Sequence, residues 1–207
     1  MKSHLVVPTS PLANPASLVT GDGYRITVLD AGLLRLEYSP TGRFEDRPSQ
    51  TVLNRDFPAV DFHLAENDEE LEIHTDRLHL VYDKRPFSPE GLSVQAKGNF
   101  SPHASVWRFG QRVENLGGTA RTLDDVDGAC ELEDGIHSRN GIAVVDDSTT
   151  MLLTEDGWVA PRDSGNVDVY VFGYGRDYKE ALKTFYRLTG KQPLLPRFAL
   201  GNWWSRY

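Results

Sequence analysis

The sequence predicts a mainly β protein, a large antiparallel β-sandwich with one C-terminal amphipathic helix. Three observations carry this prediction. Short alternations of apolar and polar residues recur along most of the chain, and clusters of Gly, Asp, Asn and Pro separate them. The period becomes helical once, beyond residue 177. No fixed repeat emerges of the kind a propeller or solenoid needs.

The elements follow in order. Residues 1–17, with Pro8, Pro11 and Pro15, read as an extended lead-in. Tyr24, Ile26 and Val28 alternate with Arg25, Thr27 and Leu29, and Leu34, Leu36 and Tyr38 alternate with Arg35 and Glu37. The turn Asp30-Ala31-Gly32 between them makes this a hairpin with one buried face. Val60–Leu64, Leu71–Thr75, Leu78–Tyr82, Leu92–Ala96, Val106–Phe109, Ile142–Val145 and Val167–Val171 supply further strands. Between Asp177 and Leu188, Tyr178, Ala181, Leu182, Phe185 and Leu188 fall at helical spacing, with Lys179, Glu180, Lys183 and Arg187 opposite and Gly190 as the stop. This arrangement divides the chain into the lead-in (1–17), a sandwich domain (18–190) and a linker with a following strand (191–207). The last part carries two prolines and then Phe198–Tyr207, which reads as an apolar strand broken off without a partner, the start of a truncated second domain.

Composition narrows the function. A net charge of −8 and a pI near 5.2 disfavour a nucleic-acid backbone or an anionic membrane as partner. No apolar run approaches the roughly 18 residues of a membrane span, and residues 1–10 lack a signal-peptide core. The single cysteine, Cys130, has no internal disulfide partner, which suits a reducing, cytoplasmic setting. Asp127, Glu131 and Glu133 surround it, and their charge opposes thiolate formation, so it is a poor nucleophile.

Between the strands ending at Phe109 and starting at Ile142 lie about thirty residues with little hydrophobic periodicity; such a connection in a compact domain is disordered or functional. Leu116, Leu123, Leu132 and Ile136 are spaced to anchor an ordered loop, and its glycines and acids are placed to be presented. Asp124-Asp125-Val126-Asp127-Gly128 fails as an EF-hand, because aligning Gly128 puts Leu123 at the first ligand position and Asp134 at the last. Gly117-Gly118 has no Gly-Lys-Ser/Thr after it, so a phosphate loop is not supported. His63, His74 and His79 alternate with apolar neighbours and are expected on solvent-facing sides of strands. No His-x-x-x-His pair is present, and neither a metal nor a cofactor is expected.

Several blocks, in this order and spacing, are similar to glycoside hydrolase family 31, the α-glucosidase and α-xylosidase family. They are Leu33–Tyr38, Phe44–Arg47, Asn115–Thr119 with Arg121–Asp124, Ser138–Gly141, Asp146–Ser148, Asp156–Trp158, Phe172–Tyr178 and Leu194–Tyr207. The resemblance covers nearly the whole chain. It implies a galactose mutarotase-like sandwich followed by a (β/α)₈ barrel, of which Phe198–Tyr207 would be the first strand. The family's retaining chemistry needs two carboxyl groups about 5–5.5 Å apart. The resemblance places both aspartates on later barrel strands, so no catalytic residue is expected in this chain. What it implies here is a substrate-shaping loop that brings an acidic residue to the leaving-group side of an oligosaccharide or α-glycoside. Asp127 is the first choice for that contact, with Asp124 and Asp125 as alternatives; a carboxylate accepts charge-assisted hydrogen bonds from adjacent sugar hydroxyls. Turn-capping in water would equally account for all three acids. Trp203, Trp204, Arg206 and Tyr207 are further candidates for sugar contact, although core packing accounts equally for tryptophans in a strand.

Two rival readings remain. A free-standing carbohydrate-binding module would need only the sandwich and its loop. An aldose epimerase would need a histidine acid and a glutamate base converging on one face, and no strand pattern here requires that.

Overall fold

The computed structural model describes residues 6–98, 105–120, 124–192 and 194–201. The strands are β1 (Leu18–Gly21), β2 (Tyr24–Asp30), β3 (Leu33–Tyr38), β4 (His63–Glu66), β5 (Leu71–His74), β6 (Leu78–Tyr82), β7 (Leu92–Ala96), β8 (Val106–Arg108), β9 (Ala143–Asp146), β10 (Leu152–Leu153), β11 (Val159–Ala160) and β12 (Val167–Phe172), followed by helix α1 (Tyr178–Thr189). Among the described residues they form one five-stranded sheet in the order β1-β2-β3-β12-β9, a second in the order β4-β5-β6-β7-β8, and a β10-β11 ribbon. Every pairing between these strands is antiparallel. The mainly β sandwich with a helix near its C-terminal end is therefore present.

The main core lies between the sheets. Ile26, Val28, Leu34, Leu36, Val169 and Val171 from the first meet Leu71, Ile73, Leu80, Tyr82, Val94 and Trp107 from the second. These are alternate residues of each strand, so the period-two pattern places one face of each sheet in this layer.

The β2–β3 hairpin departs from expectation. One buried face was expected, yet both faces are buried along nearly its whole length. The reason is a second layer. Val52, Phe57, Ala181 and Leu188 pack with Leu29, Leu33, Tyr170 and Phe172 in a smaller core beyond the first sheet. Arg25, Arg35 and Glu37 of the hairpin lie on that covered face and are charge-paired. Arg25 donates to Glu37 (Nε–Oε2 2.6 Å) and to Asp46 (2.7 Å). Arg35, 1% exposed, grips Asp168 with two bonds of 2.8 Å and donates to the Glu45 carbonyl at 2.7 Å. Register sets this up: Arg25, Glu37 and Asp168 are cross-strand neighbours on β2, β3 and β12. Two acids side by side would repel, so the flanking guanidiniums are required there.

Helix α1 starts at Asp177, whose Oδ1 accepts from the Glu180 amide, and ends at Gly190. Its buried face is Ala181, Thr184 and Leu188; Tyr178 and Leu182, expected in the apolar stripe, are more than a third exposed. The contact strip is narrower than the sequence stripe because only one side of the helix lies over the second core. Two strand assignments also shift. Val60–Phe62 lies outside β4, and Phe198–Leu200 falls in a 3₁₀ turn over Arg197–Leu200 instead of starting a strand. Among the described residues no neighbouring strand takes up the backbone groups there, and they close locally: the Ala199 amide donates to the Pro196 carbonyl and the Gly201 amide to that of Phe198.

Candidate functional site

The connection from β8 to β9 is an ordered two-armed loop for most of its described length. The arms bond to each other in antiparallel fashion. The Leu116 amide donates to the His137 carbonyl (2.9 Å), Gly118 to Glu133 (2.6 Å), Glu133 to Thr119 (3.1 Å) and Arg139 to Glu114 (3.1 Å). One side chain holds the arms together. Asn115 Oδ1 accepts from the Gly117 amide (2.8 Å) and the Gly135 amide (2.9 Å), while Nδ2 donates to the Gly135 carbonyl (2.6 Å). The amide group is suited to this because it offers an acceptor and a donor at once.

This differs from the anchoring expected of the loop. Leu116 and Leu132 are 45% and 53% exposed, Leu123 lies outside the described residues, and of the three that are described Ile136 packs against a core. Hydrogen bonding between the arms takes the place of apolar anchoring at the exposed Leu116 and Leu132. At the loop's base, Ser138 Oγ accepts from the Ile142 amide (3.0 Å) and His137 meets the Tyr178 carbonyl (3.0 Å), joining the loop to β9 and α1.

The predicted acids sit at the far end. Asp124, Asp125 and Asp127 are all exposed. Asp125 has φ 59°, a left-handed conformation that aspartate tolerates better than most residues, and Gly128 (φ 90°) follows in the same turn region. The three acids thus follow one another along one exposed turn region of the connection. Trp203, Trp204, Arg206 and Tyr207 lie outside the described residues. Cys130 is half-buried on the returning arm.

Two further features were not anticipated. A groove of about 870 Å³ is lined by Leu12, Asp46, Arg47, Leu153 and Asp156 among others, and by no residue of the loop. On the outer face of the second sheet, Glu72, His74 and His79 place their ligand-type atoms within 4.8 Å of one another. The cluster follows from the hairpin register, which the alternation of the sequence does not fix by itself. Thr75 and Leu78 close the β5–β6 turn, with the Thr75 amide donating to the Leu78 carbonyl at 3.0 Å, so His74 must face His79.

The electrostatics that hold the scaffold are concentrated in the covered layer of the first sheet. Burial pushes the Asp168 carboxyl up, but Arg35, Arg55 and Arg162 outweigh it and hold Asp168 below the usual carboxylate range. Burial pushes Asp147 up, and neighbouring Asp168 adds to this against the pull of Arg162. Arg162 bridges both acids, through Nη2 to Asp147 and through Nη1 to Asp168 at 3.1 Å. Burial and the hydrogen bond to Asp30 (2.5 Å) raise the Tyr174 phenol.

The fold is a two-sheet antiparallel sandwich with an exposed acidic turn in the connection from β8 to β9. Solved structures similar to this fold include enzymes of glycoside hydrolase family 31. A dextranase of that family from Flavobacterium johnsoniae, complexed with glucose, aligns with 87% of this chain at a TM-score of 0.52 and 16% identity. An α-xylosidase of the family from a soil metagenome, complexed with xylose, aligns with 89% of the chain at a TM-score of 0.52 and 14% identity. The chain spans 27% and 35% of the length of those two proteins. No protein-family profile and no curated protein sequence matches the chain. Among the described residues no helix is long and apolar enough to cross a membrane.

Proposed function

We propose that this chain is the N-terminal β-sandwich portion of a retaining α-glycosidase of family 31, of the α-glucosidase or α-xylosidase type. In this reading residues 18–190 support a catalytic barrel, residues 191–207 lead into it, and the loop between β8 and β9 shapes the substrate site. The observation that carries the reading is the fold likeness over most of this chain to about a quarter to a third of two family 31 enzymes, both bound to a monosaccharide. Leu194, Leu195, Phe198 and Leu200 are 63–99% exposed, which supports a role in contact with a following domain.

In that setting Asp127 accepts hydrogen bonds from a sugar beyond the scissile bond, with Asp124 and Asp125 beside it. The catalytic aspartates lie in the barrel, so the 207-residue chain turns over no p-nitrophenyl α-glycoside above the buffer blank. The decisive experiment is Asp127→Ala in the full-length enzyme. Removing one charge-assisted hydrogen bond of about 1.5–3 kcal/mol lowers kcat/KM roughly ten- to hundredfold. The loss is greater on disaccharides than on aryl glycosides, whose leaving group carries no hydroxyl for the carboxylate. Equal losses on both substrates would assign Asp127 to loop organisation, and unchanged rates would remove it from the site. Saturable sugar binding by the isolated chain would instead favour a self-sufficient binding module.

A further inference from the structure

From the geometry of the second sheet we infer that Glu72, His74 and His79 form a binding site for a divalent late first-row transition ion. The site follows from register. Glu72 and His74 are two residues apart on β5 and so share its outward face, and His79 is the cross-strand partner of His74 on β6. The two imidazoles stack with centroids 4.0 Å apart and planes 14° from parallel, so binding one ion requires the rings to swing until both lone pairs aim at it. Both Nε2 atoms face one oxygen, Glu72 Oε2, from His79 at 2.6 Å and from His74 at 3.3 Å. Three donor atoms, from two hydrogen-bonded strands, therefore lie within 4.8 Å of one another.

The donor set selects the ion. Two imidazole nitrogens and one carboxylate oxygen suit zinc, copper(II) or nickel(II), and not calcium or magnesium, which prefer all-oxygen shells. Zinc binds such ligands at about 2.0–2.2 Å, so tetrahedral donors stand about 3.3 Å apart. His74 and Glu72 already hold that separation; His79 needs to draw back by about 0.7 Å, from the 2.6 Å of its present contact with Glu72. The side chains are 26–36% exposed, so rotamer adjustment suffices and water completes the shell. The ion would clip β5 to β6. His63 is the cross-strand neighbour of His74 on the other side, with ring centroids 6.4 Å apart, and lies outside the donor set. A solvated ion pair beside stacked histidines would show the same contacts without binding any metal, and titration separates the two.

The experiment is zinc titration by calorimetry of the chelator-treated 207-residue chain, without a histidine affinity tag. The expected result is one ion per chain. His79→Gln and Glu72→Gln each weaken binding at least tenfold, whereas His63→Gln and the remote His137→Gln leave it unchanged. A second readout needs no variant: zinc protects His74 and His79, but not His137, from carbethoxylation followed by mass spectrometry. Absence of saturable uptake, equal uptake by His79→Gln, or loss of uptake in His63→Gln alone would overturn the assignment.

Discussion

Replacing Asn115 with alanine tests whether one side chain closes the acid-tipped loop. The substitution removes three hydrogen bonds, two accepted from Gly117 and Gly135 and one donated to Gly135. The bond from Gly117 is local to one arm and persists when the arms part, so only the two bonds with Gly135 count towards closure. At about 0.5–1.5 kcal/mol net each they sum to roughly 1–3 kcal/mol, and water reaches the freed amides of the partly buried Asn115 site, so about 2 kcal/mol is the reasoned value. That raises the opening equilibrium of the loop roughly 30-fold. Native-state hydrogen exchange reads it at the amides of Leu116, Gly118 and Glu133, which bond across the arms. Global stability falls by no more than the free energy that holds the loop shut, because the two cores are untouched. Asn115→Asp keeps both accepting bonds, loses the donated one and sets a charge against the Gly135 carbonyl, so it lies between wild type and alanine. Unchanged protection in Asn115→Ala would refute the reasoning and assign loop closure to the backbone ladder alone. In the full-length enzyme the same variant reproduces the direction of Asp127→Ala if the loop serves to present that carboxylate.

The other predictions concern the buried charges. Arg35→Ala strips Asp168 of its bidentate partner while Arg162 and Arg25 remain on the two acids. The cost then lies near the lower end of the 3–5 kcal/mol typical of a broken buried pair, about 3 kcal/mol, seen as a lower urea midpoint at unchanged slope. A loss under about 1 kcal/mol would mean the network is solvated or redundant. Acid titration gives an independent check. The folded-state pKa of Asp168 lies below its unfolded value, so its contribution is fully present above about pH 3.9 and is lost as pH falls through the lower folded value. Asp147, raised by burial, acts oppositely: its contribution is present below that unfolded value and is lost as pH rises through the raised folded one. Urea midpoints measured from pH 5 down to pH 2 therefore drop most steeply at the acid end, and Asp168→Asn flattens that limb. An equal slope in the variant would assign acid sensitivity elsewhere.

What the sequence by itself determined is the local periodicity. The alternation in Tyr24–Tyr38, Leu71–Tyr82 and Val167–Phe172 specifies strands and one core-facing side, because side chains on a strand alternate whatever the strand pairs with. Asp177 and Gly190 likewise bound helix α1 through short-range capping, and the acid-rich connection after Phe109 stands out by its lack of any period. The tertiary structure decided what lies on the other side of each strand. Arg25, Arg35 and Glu37 read as a solvated face until Val52, Phe57 and helix α1 cover the sheet and Asp168, 133 residues from Arg35, arrives beside them. Asn115 read as one loop residue among many, and its role exists only once Gly135 returns alongside. His74 and His79 were each legible as outward-facing, but not as a pair, since ring-to-ring contact depends on register. The physical reason is the same in each case. Backbone sterics and alternation act over a few residues and are written locally, whereas pairing partners and covering layers depend on contacts between segments distant in the chain.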